Sequence, residues 1–254
     1  MLQVEKKPSY WIVRLDRPSV FNALNPSLIH AIREVAEESR AHESVRALIL
    51  TGTGKAFCSG ADLKEGISEP NLGNILRKTY NPMIEALRGL DIPVIGAING
   101  IAAGAGCSLA LACDYLVAKE DAYFTELFVQ IGLTLDAGST AFLIQSVGYH
   151  KAFEIASSGR KIGAEEAQQL GWVSEVIKES DWEKRIVEIA EEWSNKPTKV
   201  LGLMKKSLQA AHTLNLKETL ELEAEHQTIA GQTHDFAEGV MSFLQKRKSE
   251  FKGR

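Results

Sequence analysis

The feature that most restricts the fold is a series of short, wholly apolar runs, each cut off by small residues and followed by a helical pattern. Ala47-Leu48-Ile49-Leu50 stops at Thr51-Gly52-Thr53-Gly54, and Val94-Ile95-Gly96-Ala97-Ile98 stops at Asn99-Gly100. Tyr115-Leu116-Val117-Ala118 is a third run. A strand with one wet face alternates polar and apolar residues, whereas a strand covered on both faces has no need to. Such strands separated by helices imply right-handed crossovers and a mainly parallel sheet, so the chain reads as α/β. Tyr10-Trp11-Ile12-Val13-Arg14-Leu15 adds a strand of aromatic and β-branched residues.

Pro26 to Ala41 reads as a helix. Asn25 suits its N-cap, Pro26 its first position, and Leu28, Ile32, Val35 and Ala36 share one face. Further helices are expected over about 75–90 and, after a glycine-rich turn, around 108–113. Beyond Ser139 the pattern is almost all helical: 181–193, 200–211, 216–227 and 236–247 carry apolar residues three and four apart. Val173 to Ile177 is the one late strand candidate. The chain thus divides into an α/β core, 1–195, and a C-terminal helical region, 196–254. That region is too thin to form a core alone, so it is expected to pack on the core or on another subunit.

Composition narrows the function. With 44% hydrophobic and 24% charged residues the chain is an ordinary globular one, and a net charge of −4 gives a nucleic-acid partner no help. Cys58, Cys107 and Cys113 are an odd set with no histidine at ligand spacing, which points to buried thiols in a reducing compartment and to no metal. Met1 to Lys7 is not a basic segment leading into an apolar one, and no run is long enough to span a bilayer, so a cytoplasmic protein free of membranes is expected. Gly52-Thr53-Gly54-Lys55 fails as a phosphate loop because Ala56 stands where Ser or Thr is needed. It fails as a dinucleotide fingerprint because the third glycine is Phe57. The six histidines are scattered and read as surface residues.

Two segments carry chemistry: Gly54-Lys55-Ala56-Phe57-Cys58-Ser59-Gly60-Ala61-Asp62-Leu63-Lys64 and Asn99-Gly100-Ile101-Ala102-Ala103-Gly104-Ala105-Gly106-Cys107-Ser108. Each follows a buried strand, turns on small residues and opens a helix. Such turns leave backbone N–H groups pointing outward, and two on neighbouring strands can aim at one oxygen, forming an oxyanion hole. Two ordinary strand-to-helix turns have the same spacing.

These segments, with Leu15-Asp16-Arg17-Pro18…Asn22-Ala23-Leu24, Ala110…Cys113-Asp114, Gly159…Ala164-Glu165-Glu166-Ala167, Gly171-Trp172-Val173 and Glu238-Gly239…Phe243…Lys246-Arg247, resemble the enoyl-CoA hydratase/isomerase (crotonase) superfamily over nearly the whole chain. The resemblance implies a spiral of ββα units followed by a C-terminal helical region for trimerisation. It puts the oxyanion amides at Ala61 and Ala105, and the second position is usually glycine. It implies an acyl-CoA thioester as substrate, no cofactor beyond the coenzyme A of that substrate, and a homotrimer or dimer of trimers. Coenzyme A contacts fall at Ala23, Ser59, Ala61, Asp62, Leu63 and Lys64, with Phe243 and Lys246 reaching a neighbouring subunit's site.

The positions at which hydratases of this superfamily carry two water-activating glutamates are Ser108 and Phe128, and neither exchanges a proton usefully at neutral pH. Phe128 is then left to line the substrate site. Glu126 shares a face with Phe128 if the segment is extended, and a shifted register would bring it in. Asp136 stands where hydratases have glycine. It resembles the branch holding ring-1,2-epoxyphenylacetyl-CoA isomerase and 3,2-enoyl-CoA isomerases, although Leu135 replaces that branch's common proline. Apolar neighbours such as Phe128, Leu135 and Phe142 would raise its basicity. The resemblance implies an isomerase that shuttles a proton with Asp136. The competing role for Asp136 is N-cap of a helix starting near Gly138. The competing functions are a 2-enoyl-CoA hydratase, with Glu126 in play, and a non-catalytic acyl-CoA- or RNA-binding protein.

Overall fold

The computed structural model describes residues 1–65 and 70–254. Six strands form the larger sheet in the order β1 (Leu2–Lys6), β2 (Tyr10–Leu15), β3 (Ala47–Gly52), β5 (Val94–Ile98), β7 (Tyr115–Lys119) and β10 (Glu175–Ile177). All neighbours are parallel except β1 and β2. The continuous apolar runs are explained by cover on both faces. Ile12, Ala47, Ile49, Ile95, Ala97 and Val117 pack against Trp182, Ile186, Ile189 and Ala190 of α7 (Trp182–Ser194). The alternate residues Trp11, Val13, Leu15, Leu48, Leu50 and Leu116 join the larger core. There they meet α1 (Pro26–Ala41), through Leu28 and Ile32, and α3 (Asn81–Arg88), through Met83 and Leu87. Asn25 caps α1 as expected, its side chain accepting from Leu28 N–H.

A second sheet, not anticipated from the sequence, has the order β4 (Ala56–Cys58), β6 (Ile101–Ala103), β8 (Tyr123–Thr125) and β9 (Ile162–Gly163). Strands of two or three residues are too short to show a period. The first three each follow a strand of the larger sheet, so β3–β4, β5–β6 and β7–β8 are successive turns of the ββα spiral that the resemblance implies. Two buried amides tie the sheets together. Asn22 Nδ2 donates to the carbonyls of Thr53 (3.0 Å) and Ala56 (2.7 Å). Asn99 Nδ2 donates to those of Gly54 (3.0 Å) and Ala56 (3.1 Å), while its Oδ1 accepts from Gly52 N–H (2.9 Å).

The helix expected over about 75–90 is broken into α2 (Leu72–Ile75), a π turn (Leu76–Tyr80) and α3. Pro82 has no N–H with which to continue a four-residue ladder. The helix expected at 108–113 is α4 (Ala105–Leu111) and starts three residues earlier, at Ala105, with Gly104 at the N-cap position. After α5 (Ser139–Ser158) and α6 (Ala164–Gln169), helices α8 (Thr198–Ala210), α9 (Leu216–Gly231) and α10 (His234–Gln245) end the chain. None of the residues of α9 is buried. The last residues return to the core: Arg46 donates to the carbonyls of Lys196 (2.7 Å) and Phe251 (3.0 Å), and the buried Asp235 accepts from Lys252 and Gly253 N–H. No helix of the described residues is long and apolar enough to cross a membrane.

Candidate active site

Three adjacent parallel strands of the small sheet, β4, β6 and β8, end side by side. Ligands of open α/β sheets gather at such carboxyl ends. From β4 the chain runs to Gly60-Ala61, from β6 to Gly104-Ala105, and from β8 to Glu126, Phe128 and Asp136. The two sequence-derived loops thus leave neighbouring strands of the small sheet, one step beyond the buried strands of the large one.

The loops touch. A Cβ built on Gly60 would stand 2.7 Å from the carbonyl oxygen of Ala103 and 3.5 Å from the nitrogen of Ala105. Gly106 lies closer still, since a Cβ there would meet the Cys58 carbonyl oxygen at 2.2 Å, so only glycine fits. Gly104 takes φ 53°, ψ −128°, a conformation that suits glycine, and so turns β6 into α4. Leu24 bridges the first loop by donating to Gly60 O (2.7 Å) and accepting from Asp62 N–H (2.9 Å), which leaves the Ala61 amide between them outside the pairing. Neither Ala61 N–H nor Ala105 N–H has an acceptor among the described residues. Two unspent donors on touching loops can serve one oxygen that gains negative charge.

Asp136 approaches from the third strand. Its backbone carbonyl accepts from Ser108 Oγ (3.1 Å) and from Ser139 N–H (3.0 Å). Positive φ at Ala137 (49°) and Gly138 (87°) then folds the chain into α5. The aspartate is not a helix cap: the N-cap position of α5 is Gly138, and no side chain caps it. Instead Asp136 Oδ1 is buried with no hydrogen-bond partner, and burial pushes the carboxyl up to about 6. Leu135 and Phe142 pack against the same core, and the buried Phe128 ring lies 3.8 Å from where a Cβ on Gly104 would stand. Ser108, at a hydratase glutamate position, therefore holds the backbone of Asp136. Sequence reading gave it no task because the bond joins residues 28 apart.

Glu126 has no accessible surface. Its Oε1 accepts from Ser139 Oγ at 2.5 Å, and its Oε2 has no partner. Burial pushes this carboxyl up to about 7 against the hydrogen bonds of Ser139 and Cys107, with the charge of Asp136 adding to the rise. It is sealed off from solvent.

The residues assigned to coenzyme A divide. Ser59 N–H donates to Phe21 O and Asp62 N–H to Leu24 O, so neither N–H is free for a ligand. The Asp62 carboxylate staples the loop: Oδ1 accepts from Lys64 and Glu65 N–H, and Oδ2 from Arg17 (3.0 Å). Arg17 also donates to Ala23 O at 2.6 Å, fixing Ala23 beside Asp62. Arg17 was quoted in a motif, but its task is visible only in three dimensions. Leu63 and Lys64 are exposed. Phe243, 83% exposed, and Lys246, at the end of α10, share no hydrogen bond, ion pair or ring contact with either loop. Within one chain they are not part of this site. Among the described residues no cluster of His, Cys, Asp and Glu is arranged to hold a metal ion.

The family model described as "Enoyl-CoA hydratase/isomerase" matches residues 5–254. A Rhodobacter capsulatus protein described as "Probable enoyl-CoA hydratase" is 42% identical over 96% of this chain and 94% of its own. The 1,2-epoxyphenylacetyl-CoA isomerase of Escherichia coli is 35% identical over 94% of each chain. The crystal structure of an enoyl-CoA hydratase from Bacillus anthracis superposes with a TM-score of 0.93 at 31% identity, covering 100% of this chain and 99% of that one. By its spiral fold and by sequence along nearly its full length, the chain belongs to the enoyl-CoA hydratase/isomerase family.

Proposed function

We propose that the chain is an acyl-CoA isomerase in which the amides of Ala61 and Ala105 hold the thioester oxygen and Asp136 moves the proton. As the C2 proton of a 3-enoyl thioester leaves for Asp136, the electron pair flows into the carbonyl, and the oxygen gains the charge that two preorganised N–H donors stabilise. The resulting dienolate takes the same proton back at C4, and the double bond ends at C2. Proton count and charge balance, with no water and no second acid.

The observation that carries this reading is the state of Asp136. It lies in the segment that follows β8, on the sheet whose other strands lead to the two unspent amides, it keeps part of its surface accessible, and its burial-raised value near 6 leaves it ionised yet basic at neutral pH. The hydratase positions hold Ser108, spent on the backbone, and Phe128. Asp136→Asn keeps the shape and removes the base. Isomerisation of hex-3-enoyl-CoA should fall by a factor of 100 or more, in the range of lost general-base catalysis. Near-normal turnover by that variant would overturn the assignment.

A second reading is hydration of a 2-enoyl-CoA. The name carried by the Rhodobacter relative favours it, with Asp136 activating the water. Loss of crotonyl-CoA absorbance at a rate exceeding hex-3-enoyl-CoA isomerisation would establish it instead. In either case the exposed apolar residues of α9 and α10, among them Leu216, Phe236, Phe243 and Leu244, support assembly as a homo-oligomer in which Phe243 and Lys246 serve a neighbour's site.

A further inference from the structure

The Asp136 carboxylate is aimed by its backbone. Among the described residues its side chain makes no hydrogen bond, and Oδ1 is buried without a partner. Its peptide N–H has no acceptor among them either. The bonds that its carbonyl accepts, from Ser108 Oγ and from Ser139 N–H, are the hydrogen bonds that hold it. The next residue, Ala137, sits at φ 49°, a left-handed conformation that a residue with a Cβ takes at a cost. A strained turn of this kind keeps its shape only where its surroundings over-determine it.

Both bonds belong to one closed circuit. Ser108 N–H donates to Gly104 O at 3.0 Å, and Gly104 N–H donates to Thr125 O at 2.9 Å. Gly104 immediately precedes the Ala105 amide. Thr125 ends β8 and is followed by Glu126, whose Oε1 accepts from Ser139 Oγ. Ser139 N–H then returns to Asp136 O. The three side chains of the circuit, those of Ser108, Glu126 and Ser139, have no accessible surface. The base is thus tied to the segment that offers the Ala105 amide by two routes, one through Ser108 and one through Ser139 and Glu126. A carboxyl sealed in the core with Oε2 unmet is a costly way to hold one hydroxyl. An apolar side chain would fill the space without that cost, so the bond calls for a purpose beyond packing.

We infer that Glu126 is a positioning residue: by holding Ser139 it fixes the 136–139 turn, and with it the aim of Asp136 relative to the Ala105 amide. This rests on Asp136 being the base. Glu126 itself touches no substrate and moves no proton. Its effect is geometric, and geometry weighs heavily here, since a misplacement of about 1 Å between reacting groups can cost about 100-fold in rate.

Steady-state isomerisation of hex-3-enoyl-CoA by the full chain tests the idea. Glu126→Leu and Ser139→Ala delete the same bond from its two ends. Each should lower kcat about tenfold and leave KM within about twofold, because the thioester contacts stay and only the approach of the base is lost. The double variant should be no slower than the slower single one, since the second change removes nothing further. Glu126→Gln keeps an oxygen for Ser139 and should stay within about threefold of the wild type. Should either deletion fail to fold, Ser139→Ala is made in the Glu126→Gln background, where no charge is stranded, and its kcat is compared with that of Glu126→Gln alone. A Ser139→Ala enzyme with the kcat of its parent overturns the inference, even if its Tm falls, because the bond then serves stability only. So do losses that multiply in the double variant. Asp136→Asn separates the two readings. If it keeps its turnover, the isomerase reading fails and this inference with it, whereas an inactive Asp136→Asn beside a fully active Ser139→Ala refutes the inference alone.

Discussion

Replacing Glu126 by glutamine removes a charge from the least accessible carboxyl near the site while keeping the oxygen that accepts from Ser139. Burial is the main cause that lifts Glu126 from an ordinary 4.5 to about 7. Below pH 4.5 the group is protonated both folded and unfolded and costs nothing. Between those values the unfolded chain releases the proton while the folded chain keeps it, so stability falls as pH rises, and above about 7 the full cost is present. At roughly 1.4 kcal/mol per pH unit the loss is about 3 kcal/mol. The side chain is fully buried, so solvent screening does not reduce the figure. Urea unfolding, followed by the fluorescence of the buried Trp172 and Trp182 at one protein concentration, should show Glu126→Gln gaining on the wild type from pH 5 to pH 8 by about that amount. Asp136 titrates in both proteins, so its contribution cancels in the difference. A difference that stays flat with pH would refute the reasoning, because it would mean that Glu126 is not forced to ionise in a dry site.

Three further outcomes follow from the same geometry. With Asp136 as the proposed base, which must be ionised to accept a proton, kcat/KM for isomerisation should fall as pH drops through about 6, and an acid limb near 4 would show an unburied carboxylate. Arg17→Ala strips the bonds to Ala23 O, Asp62 and Glu65 and leaves the nearly buried Asp62 carboxylate unpaired. It should cost about 2–4 kcal/mol in denaturant unfolding and raise KM for acyl-CoA as the 59–64 loop loosens, and an unchanged KM would separate that loop from coenzyme A. Phe128→Asn admits water beside Asp136, so the acid limb of the pH profile should move from about 6 towards about 4, and a limb that stays put would assign the burial of Asp136 to other residues.

What could be read from the sequence follows the range of the interactions. The parallel part of the large sheet was legible because its central strands need apolar residues at both parities: Ile12 and Ile49 face α7, while Val13 and Leu50 face the other way; the edge strand β1, Leu2-Gln3-Val4-Glu5-Lys6 with no buried residue, escaped the reading. Helix α1 was legible because its signals are local, from the Asn25 cap to the apolar stripe. The small sheet was not, because β4, β6 and β8 have three residues each and β4 is held by Asn22 and Asn99 reaching more than 30 positions along the chain. The roles of Ser108, Ser139 and Arg17 were hidden for the same reason, since each acts on a backbone or carboxylate far away in sequence. Asp136 was found through resemblance rather than pattern. Its pattern alone suggested a helix cap, and the positive φ of Ala137 and Gly138 is what turns the side chain away from that task.

The apolar lining around Asp136 has two consequences with a single cause. Burial is the only cause that raises this carboxyl, with no neighbouring charge or hydrogen bond contributing. Such basicity persists only while water stays out, and it would fade if a water could hydrogen-bond Oδ1. Excluding that water also removes the reactant that hydration requires. A site with glutamates at positions 108 and 128 would hold a water between two carboxylates. With serine bound to the backbone and phenylalanine in their places, no second carboxylate stands at either position, and under the proposed isomerase reading Asp136 acts as a lone base. Under that reading the proton taken from C2 is the one delivered to C4, and isotope from labelled water should enter the product more slowly than the double bond moves.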